Sequence, residues 1–545
     1  MSYLKNLVRR GDGRIANSAG GHAFPVDEWT RLRRFLVLGS EGGSFYAAEA
    51  TLTRENAAAV EHCLAADGLR TVAEIARVSA EGRAPKNDPA IFALAMAAGI
   101  GDEATRKAAL DALPQVCRTG THLFRFATFV EGFRGWGRGL RRAVGRWYAD
   151  RPIDQLALQA VKYRQREGVT HRDLLRLAHP ATAVSARNPT LDVTAEHARL
   201  FEWIVRGGDT EGLPAIVGAF AEAQDAPTPA ASAALVRTHG LPREAVRSEH
   251  LTSPEVWDAL LEDMPMTALV RNLATMTRVG VLAPGSAGTA KAVAQLADAE
   301  RLRRARVHPI AVLAALRTYA SGHGARGRGT WNPVRDVVDA LDAAFYAAFA
   351  NVEPAGRRLL IALDVSGSMQ GGSIAGVPGL SPRDASAALA LVTAATEERH
   401  EIVGFHAGEG GWKAGGRRFY GHDNGITPLA ISPRQRLDDV VETVSGLPFG
   451  GTDCALPMRY ALAQKREIDT FVIYTDSETW AGDFAPDAAL RAYREQSGID
   501  ARLVVVGMVS NGFSIADPAD AGMLDVVGFD TATPQLISDF ARGAV

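Results

Sequence analysis

Three oxygen-bearing side chains follow an apolar run at alternate positions in the segment IALDVSGSMQ. They are Asp364, Ser366 and Ser368. A carboxylate and two hydroxyls at this spacing can converge on one hard cation, because Mg²⁺ is bound by oxygen ligands in octahedral geometry. The apolar residues 361–363 read as the end of a buried strand, which places the three side chains on the turn that follows. The segment therefore predicts part of a divalent-metal site.

Two further oxygen-bearing residues are predicted at the same edge of a sheet. Thr452, in FGGTDCALP, lies on a glycine-supported loop before a helix, and Asp476 ends the strand-like run TFVIYTD. Ligands of parallel α/β sheets bind beyond the carboxyl ends of the strands, so these loops are expected to meet. The alternative is a loop that is built for metal but stays empty or holds a purely structural ion. Because both carboxylates are needed to hold the cation, neither is free for acid–base catalysis.

The segments that must position this site alternate between strand-like and helix-like patterns. Helical patterns separate four short apolar runs that are rich in β-branched residues. The runs are RLLIALD (358–364), EIVGF (401–405), TFVIYTD (470–476) and RLVVVG (502–507). Continuous apolar strands between helices indicate a parallel sheet that is covered on both faces. We therefore predict an α/β, Rossmann-like domain over residues 350–545.

The first 349 residues show a different pattern, helix after helix with little strand-like alternation. TVAEIARVSAEG (71–82) places apolar residues on one helix face. PAIFALAMAAG (89–99) starts on proline and ends on glycine, which are typical helix boundaries. Short loops join such segments, as in stacks of antiparallel helix pairs. We predict an all-α domain of irregular helical repeats, an α-solenoid, over residues 1–349.

Charge is divided unevenly between the two predicted domains, although the 545-residue chain has 60 Lys and Arg against 62 Asp and Glu. Residues 1–350 contain 44 basic and 37 acidic residues, and residues 351–545 contain 16 and 25. Within the first half, residues 118–187 contain 14 basic and 5 acidic residues. This bias predicts that the helical half meets a polyanion such as nucleic acid. An ordinary solvated helical face is the alternative.

Cysteine usage and hydropathy bear on the compartment of the protein. The three cysteines, Cys63, Cys117 and Cys454, lie far apart and form no CxxC pair, which suits a reducing cytoplasm. No apolar run is long enough to span a bilayer, and the N-terminal segment lacks the apolar stretch of a secretory signal. The sequence therefore predicts a cytoplasmic protein without a membrane anchor.

Seven stretches of the chain resemble the Ro autoantigen family, whose members join a helical-repeat TROVE domain to a von Willebrand factor A domain. The Asp, Ser, Ser, Thr and Asp pattern is similar to the metal-ion-dependent adhesion site of von Willebrand factor A domains. The alanine- and arginine-rich composition favours a bacterial member of the family. The stretches are RFLVLGSEGGSFY (34–46), SAEGRAPKNDPAIFALA (79–95), VCRTGTHLF (116–124), VKYRQREGVTHRDLLRLAHP (161–180), GHGARGRGTW (322–331), GGTDCALPM (450–458) and SNGFSIADPADAGMLDVVGFDT (510–531).

The resemblance implies a closed, monomeric ring of HEAT-like helical repeats whose ends are joined through the A domain. It implies that small structured noncoding RNAs, the Y RNAs, bind to the outer basic surface of the ring. Single-stranded 3′ ends of misfolded RNAs would enter the central hole. The expected role is RNA quality control and stress response, with an exoribonuclease such as polynucleotide phosphorylase as a partner. The chain itself is expected to have no catalytic activity.

The resemblance also assigns the metal ligands. Ser366, Ser368 and Thr452 would bind the cation, expected to be Mg²⁺, directly. Asp364 and Asp476 would bind it directly or through water. One open coordination position would take an acidic group from a partner.

Candidate RNA contacts lie in two of the matching stretches. By resemblance, Lys162, Arg166 and His179 match RNA-contacting positions of the family. Arg118 and His122 are added because of their charge and their place in CRTGTHLF. The segment YRQREGVTHRDLLRLAH carries further basic groups on consecutive turns. They are Arg164, His171 and Arg172. For any single residue of this set, an ordinary surface charge is the alternative.

Two other function classes stay open beside an RNA-binding scaffold. The sequence contains no P-loop and no HExxH or CxxC motif, which weighs against the common enzyme classes that carry them. A metal-dependent protein-adhesion module, with the acidic half as its working part, is the second hypothesis. A metal-dependent nuclease is the third, but a single site with mostly hydroxyl ligands lacks the carboxylate-rich two-metal clamp of nucleases.

Overall fold

The computed structural model describes most of the chain. The described residues are 15–16, 22–25, 27–38, 57–82, 87–166, 168–180, 195–305, 307, 309–324, 329–371, 374, 380–406, 412–414, 417–419, 425–447, 450–477, 479, 484–508, 513–517, 520–527 and 533–543. Parts of the stretches that carry the family resemblance, such as 39–46 and 325–328, lie outside this set. Among the described residues, no helix is both long and apolar enough to cross a membrane.

Helices make up almost all of the regular structure in the first half, as predicted. The predicted segments 71–82 and 89–99 correspond to the helices Gly68–Glu81 and Asp88–Ile100. The helices are α1 (Glu28–Leu38), α2 (Ala58–Ala66), α3 (Gly68–Glu81), α4 (Asp88–Ile100), α5 (Glu103–Asp111), α6 (Leu113–Val116), α7 (Gly120–Phe133), α8 (Arg138–Ala149), α9 (Ile153–Lys162), α10 (His171–Ala178), α11 (Ala195–Arg206), α12 (Ala215–Asp225), α13 (Pro229–His239), α14 (Pro254–Glu262), α15 (Met266–Arg278), α16 (Ala287–Ala297), α17 (Ala299–Arg304), α18 (Pro309–Ala320) and α19 (Arg335–Ala347).

Local sequence explains where individual helices begin and end. At the start of α13, the Thr228 side chain accepts a hydrogen bond from the Ala231 N–H, and Pro229 occupies the first turn. The helix ends at Gly240, whose φ of 60° lies in the left-handed region that favours glycine. In contrast to amphipathic helices, α4 is apolar on every side, and it is enclosed by α1, α3, α5 and α7.

Two short β-hairpins interrupt the helical half, and the sequence analysis did not predict them. The first is formed by β1 (Ile15–Ala16) and β2 (His22–Pro25). The second is formed by β3 (Gln165–Arg166) and β4 (Val169–Thr170), between α9 and α10. It lies in the segment that carries the candidate RNA contacts.

The second half is an α/β domain with the predicted alternation of strands and helices. Its strands are β5 (Leu359–Asp364), β6 (His400–Phe405), β7 (Trp412–Ala414), β8 (Arg417–Phe419), β9 (Ile426–Pro428), β10 (Thr470–Thr475), β11 (Arg502–Gly507), β12 (Phe513–Ser514) and β13 (Met523–Val527). Its helices are α20 (Pro382–Thr396), α21 (Leu437–Ser445), α22 (Leu456–Ala463), α23 (Pro486–Ser497) and α24 (Thr533–Arg542).

Six strands of this domain form one sheet in the order β13-β11-β10-β5-β6-β9. All neighbours pair in parallel except β9, which runs antiparallel to β6. Every residue of β5 and β10 is buried, because helices cover both faces of the sheet. One face packs against α20, α21 and α24, and the other against α22 and α23. The carboxyl ends of β5 and β10 therefore lie side by side at one edge.

Both ends of the helical half contact the α/β domain. Near the N-terminal end, β2 pairs antiparallel with β12, so that β1, β2 and β12 form one sheet, and α1 contacts β13. Near the other end, the Leu437 N–H donates to the Tyr346 hydroxyl (2.8 Å), and Arg436 pairs with Asp342 (3.0 Å). Between these ends, an unbroken path of helix–helix contacts leads from α1 to α19, although not every pair of consecutive helices touches. The polypeptide therefore closes on itself through the α/β domain.

The second of these junctions is continuous with the core of the protein. One cluster of buried apolar side chains extends from α12 through α19 and into the sheet face covered by α20 and α21. Phe345 and Phe349 lie at this boundary, with ring centroids 5.0 Å apart in an edge-to-face arrangement. The second core cluster of the α/β domain, around α22 and α23, contains only residues of that domain.

A disulfide between β2 and β12 tests the closure near the N-terminus. Phe24 and Ser514 are directly opposed in the antiparallel register, where Cα atoms lie about 4.5–5.5 Å apart, within the range of a disulfide. We expect the variant Phe24→Cys/Ser514→Cys to form this disulfide on mild oxidation, detected as a linked peptide by mass spectrometry and as a mobility shift on non-reducing gels.

The control variant Phe24→Cys/Arg434→Cys keeps one cysteine and moves the other to an exposed position just before α21. It should remain uncrosslinked, and the three native cysteines are buried in both variants. A folded Phe24→Cys/Ser514→Cys protein that forms no disulfide would show that the two strands do not pair.

Candidate nucleic-acid interface and metal centre

The turn after β5 brings the first three predicted metal ligands together. Asp364 is the last residue of β5 and is completely buried. One of its carboxylate oxygens accepts the Ser366 N–H (2.8 Å), and the other accepts the Thr475 hydroxyl (2.7 Å). The hydroxyls of Ser366 and Ser368 lie 3.1 Å apart. These contacts hold three oxygen donors on one tight turn at the carboxyl edge of the sheet.

Two neighbouring loops add the other predicted ligands, Thr452 and Asp476, both buried. Asp476 directly follows Thr475, whose hydroxyl reaches Asp364 across the two adjacent strands. The loops are also joined to each other, because the Thr479 hydroxyl donates to the Thr452 carbonyl (3.5 Å) and accepts the Cys454 N–H (3.3 Å). The structure thus gathers all five predicted residues at the edge where the strand pattern placed them.

The electrostatics of this edge suit a bound cation. Burial raises the pKa of Asp364 to about 7, and the nearby carboxylate of Asp476 adds to the shift. The described residues contain no group of three or more His, Cys, Asp or Glu side chains that could hold a metal ion. The available donors are therefore two carboxylates with serine and threonine hydroxyls. This all-oxygen set matches a hard divalent cation better than a transition metal.

Arg383, which the sequence analysis did not single out, holds the backbone of the turn that follows β5. This buried arginine lies in the first turn of α20, and its guanidinium donates to the carbonyls of Val365 (2.8 Å) and Ser366 (2.9 Å). Burial lowers the pKa of Arg383, and the Asp364 carboxylate opposes that shift. No local pattern identifies such a residue, because its partners are backbone atoms of a distant turn.

The candidate RNA contacts of the helical half cluster around the β3–β4 hairpin and α10. Arg164 is exposed just before β3, and Arg166 is exposed on that strand. Lys162 is half-buried at the end of α9. Arg172 is exposed on α10, and His179 is exposed at its C-cap. The hairpin brings the end of α9 back to the start of α10, so α9, the hairpin and α10 form one continuous region that carries these five side chains.

Short-range contacts fix the shape of this region. The Thr170 side chain accepts the Asp173 N–H (3.2 Å), while the Asp173 carboxylate accepts the Thr170 N–H (2.9 Å), a capping box that sets the start of α10. Arg164 lies over the Phe220 ring, with 4.7 Å from its guanidinium carbon to the ring centroid. The exposed arginines are therefore presented on a defined hairpin and helix.

The second matching stretch, CRTGTHLF, lies next to this region. The Gly120 N–H donates to the Gln159 side chain (2.9 Å), which joins the start of α7 to α9. A Cβ atom at position 120 would lie 2.8 Å from the His171 ring, so only glycine permits this close approach. Arg118 is exposed two residues earlier, and its guanidinium donates to Ser79 Oγ (3.0 Å). This places Arg118 beside the cluster, at the neighbouring helix start.

The prediction that His171 contacts RNA is wrong in this structure, because its side chain is buried. The Tyr148 hydroxyl lies 2.8 Å from His171 Nδ1, the Gln159 carbonyl lies 3.2 Å from Nε2, and Phe124 packs edge-on against the ring. Burial lowers the pKa of His171 to about 4, so the ring is neutral at pH 7. The sequence itself indicated that His171 is buried, since it shares the i, i+3, i+4, i+7 stripe with the buried residues Leu174, Leu175 and Ala178.

His122 is poorly suited to the phosphate contact predicted for it. The side chain is half-buried, and its Nδ1 atom is enclosed without a hydrogen-bond partner among the described residues. Burial, followed by the positive charge of Arg118, lowers the pKa of His122 to about 4. The ring therefore carries no charge at pH 7.

Additional basic residues extend the candidate surface beyond the predicted set. α8 contacts α10, and Arg138, Arg141 and Arg142 are exposed on its first turns. Arg176 is exposed on α10, one turn after Arg172. Within the described part of the chain, no carboxylate pairs with the three α8 arginines. They belong to the stretch RGWGRGLRR (134–142), in which arginines alternate with Trp136 inside the basic segment 118–187.

The burial of His171 predicts a loss of stability in acid. The pKa of this imidazole is about 6.5 in an unfolded chain and about 4 in the fold, so the unfolded state binds more protons between these values and stability falls as pH falls. At pH 5 the loss from this group amounts to about 2 kcal/mol. We expect His171→Gln to lower the thermal midpoint at pH 7 but to lose less of it between pH 7 and pH 5 than the wild type.

The matched variant His239→Gln removes an exposed imidazole at the end of α13 and should retain the wild-type loss. Equal losses on acidification in the wild type and His171→Gln would contradict a buried neutral ring. Calorimetry of all three proteins in buffers of equal ionic strength provides the measurement.

Comparisons with known proteins cover both halves of the chain. The family model of the Ro60 vWA domain matches residues 358–541, and that of the TROVE domain matches residues 15–206 and 238–318. The RNA-binding protein RO60 of Deinococcus radiodurans is 43% identical over 542 residues, which cover 98% of this chain and 97% of that protein. The RNA-binding protein RO60 of Caenorhabditis elegans is 36% identical over 605 residues, with 98% and 91% covered.

A solved structure agrees with these sequence matches. The crystal structure of the Deinococcus radiodurans RO (RSR) protein is similar to this chain with a TM-score of 0.74 at 42% sequence identity. The similarity covers 95% of this chain and 100% of that one. The resemblance inferred from the seven sequence stretches is thereby confirmed. The chain belongs to the Ro60 family, in which a helical TROVE domain is followed by a von Willebrand factor A domain.

Proposed function

We propose that the chain is an RNA-binding scaffold that holds structured noncoding RNA, of the Y RNA class, on the basic surface around the β3–β4 hairpin and α10. The observation that carries this proposal is the cluster of exposed cations formed by Arg164, Arg166 and Arg172, with Lys162 at its margin and the exposed His179 at the end of α10. The two relatives named as RNA-binding proteins support it.

The chemistry of this surface fits a folded RNA. Arginine grips phosphate oxygens bidentately or stacks on a base, and both contacts suit an exposed guanidinium. Phosphate contacts position an RNA without reading its sequence, so recognition depends mainly on the shape of the RNA and its 2′-hydroxyls. Binding through such contacts weakens as salt concentration rises.

The proposed role is RNA quality control in the cytoplasm, including the response to stress. The closed path of the polypeptide supports a monomeric ring that admits the single-stranded 3′ ends of misfolded RNAs. The scaffold has no catalytic activity in this proposal, so degradation falls to a separate exoribonuclease, such as polynucleotide phosphorylase. The bound Y RNA and the ring would together direct the substrate to that enzyme.

We further propose that the A domain binds one divalent cation, expected to be Mg²⁺. Ser366, Ser368 and Thr452 would hold it directly, and Asp364 and Asp476 directly or through water. The convergence of these five residues on one edge supports the proposal. The cation would neutralise the buried carboxylates and offer an open position to an acidic group of a partner. The same convergence favours the second candidate function, a metal-dependent protein-adhesion module without RNA cargo.

Charge reversal at Lys162 and Arg166 tests the RNA surface. The variant Lys162→Glu/Arg166→Glu should bind a Y RNA about tenfold more weakly or worse at moderate salt, because two phosphate contacts become repulsive. The slope of log affinity against log salt concentration should also become shallower by about 1.4, at about 0.7 per lost contact. Fluorescence anisotropy over a salt series measures both quantities.

The control Arg335→Glu/Arg434→Glu reverses two exposed cations outside this surface, on α19 and before α21. Its net charge equals that of the test variant, and its RNA affinity should stay within about twofold of the wild type. Equal weakening of RNA binding in both variants would show that net charge alone causes the effect. Unchanged RNA affinity in Lys162→Glu/Arg166→Glu would show that this surface does not bind the RNA.

Substitution of Asp364 separates the metal site from RNA binding. A ligand that binds only the folded state raises the thermal midpoint, so millimolar Mg²⁺ should stabilise the wild type but not Asp364→Ala. RNA affinity should be unchanged in Asp364→Ala, because the acidic A domain contributes little to phosphate contacts. Asp439→Ala, an exposed carboxylate on α21, serves as the control and should keep the Mg²⁺ effect.

Two results would contradict this division of labour. One is a midpoint that rises equally with Mg²⁺ in Asp364→Ala and the wild type. The other is a large loss of RNA affinity in folded Asp364→Ala, which would favour a function centred on the A domain.

A further inference from the structure

A long groove runs between α22 and α23, on the sheet face whose core contains no described residue of the helical half. Its volume is about 1010 Å³. Small and apolar side chains form its floor. They are Ala461, Leu462, Ala489, Ala492 and Ile499. Neither the proposed RNA surface nor the proposed metal site uses this groove.

The rim of the groove is basic, although the domain that carries it is acidic. Arg358, Arg459, Lys465 and Arg466 line it, against one carboxylate, that of Glu467. Residues 351–545 as a whole contain 16 basic and 25 acidic residues. A cluster of cations on such a domain creates a local positive potential that attracts a short anionic segment.

Two of these cations are available to a ligand. Arg358 is occupied by ion pairs with Asp469 and Glu467. By contrast, Lys465 is exposed and pairs with no carboxylate of the described residues. Its φ of 50° belongs to the turn that ends α22, where the Arg466 N–H donates to the Ala461 carbonyl (2.8 Å). Arg459 has only a long contact with Asp453, at 3.8 Å.

An exposed aromatic side chain lies at one end of the groove. Phe484 is 48% exposed, although phenylalanine is normally a core residue. The guanidinium carbon of Arg459 lies 4.8 Å from its ring centroid, a cation–π contact. Exposed aromatic and arginine side chains of this kind are the residues that most often supply binding energy at protein interfaces.

We propose that this groove docks an acidic, amphipathic segment of a partner protein. A groove between two neighbouring helices with an apolar floor can accept a third helix, whose apolar side chains fill the floor and whose carboxylates reach Lys465 and Arg459, while Arg466 already pairs with Glu401 (3.7 Å). An RNA is the poorer occupant, because most of the uncharged lining is alanine, leucine and isoleucine, which offer no hydrogen bonds to sugars or phosphates, and only Gln496, Ser497 and Tyr493 add uncharged polar groups. The acidic residues beyond the rim would also repel a long polyanion, but a short peptide stays within the groove.

The test uses the full-length protein and two synthetic probes. The acidic probe is a fluorescein-labelled peptide of about 14 residues, about 21 Å long as a helix, with leucine on one face and glutamate elsewhere. The matched neutral probe carries glutamine in place of glutamate. We expect the acidic peptide to bind at least about fivefold more tightly at low salt, because charge complementarity adds to the shared apolar contact.

Two variants and one control locate the binding. Lys465→Glu and Phe484→Ser should each weaken binding of the acidic peptide at least about fivefold, as expected for contact residues. Both side chains are exposed, so the fold should tolerate the changes. Arg434→Glu carries the same charge reversal outside the groove and should bind like the wild type. Hydrogen exchange should show peptide-dependent protection in α22 and α23.

Several outcomes would overturn the proposal. They include failure of the wild type to bind the acidic peptide, equal binding by all variants, and protection confined to other elements. A different result would assign the groove to nucleic acid: the peptide does not bind, but oligouridylate binds the wild type and loses affinity at least about fivefold in both Lys465→Glu and Phe484→Ser. Failure of Y RNA to bind would leave this proposal intact, because the groove does not depend on the RNA surface.

Discussion

The α/β domain contacts both ends of the helical half, and these two contacts constrain the arrangement of the helices between them. A stack of helices has two exposed apolar ends, and each must be capped for the stack to stay soluble. Here the strand β2 and helix α1 meet β12 and β13 at one end, while α19 shares a core with α20 and α21 at the other. One domain therefore caps both ends, and the position of every helix between them depends on that double contact.

This closure also separates two kinds of chemistry on one molecule. The exposed arginines of α8, the β3–β4 hairpin and α10 lie on the basic half, where the net charge favours phosphate. The buried carboxylates Asp364 and Asp476 lie at the sheet edge of the acidic half. The two surfaces therefore lie on different domains of opposite net charge. The basic groove between α22 and α23 is a local exception to the charge of its own domain.

The sequence predicted those features that follow from local pattern. Apolar runs between helices define the parallel sheet, and strand ends then determine where Asp364, Ser366, Ser368, Thr452 and Asp476 meet. Pairing of β2 with β12 was not predicted, because it joins short segments almost 500 residues apart and leaves no periodic signal. Arg383 was missed because its partners are backbone carbonyls. His171 was wrongly predicted to contact RNA, because its basic side chain was given more weight than its place on the apolar stripe of α10.

The pairing of β2 with β12 has a topological consequence. It comprises two opposed residue pairs, Phe513 with Pro25 and Ser514 with Phe24, and no covalent bond. The loop of elements is therefore closed at this point by noncovalent contacts and can open without breaking a bond. In the proposed role, an RNA with a free end could thread such a loop without opening it, whereas a covalently circular RNA could be encircled only after a junction had opened. For a circular RNA, the dissociation rate of this junction, which also includes the contact of α1 with β13, would then limit entry and release.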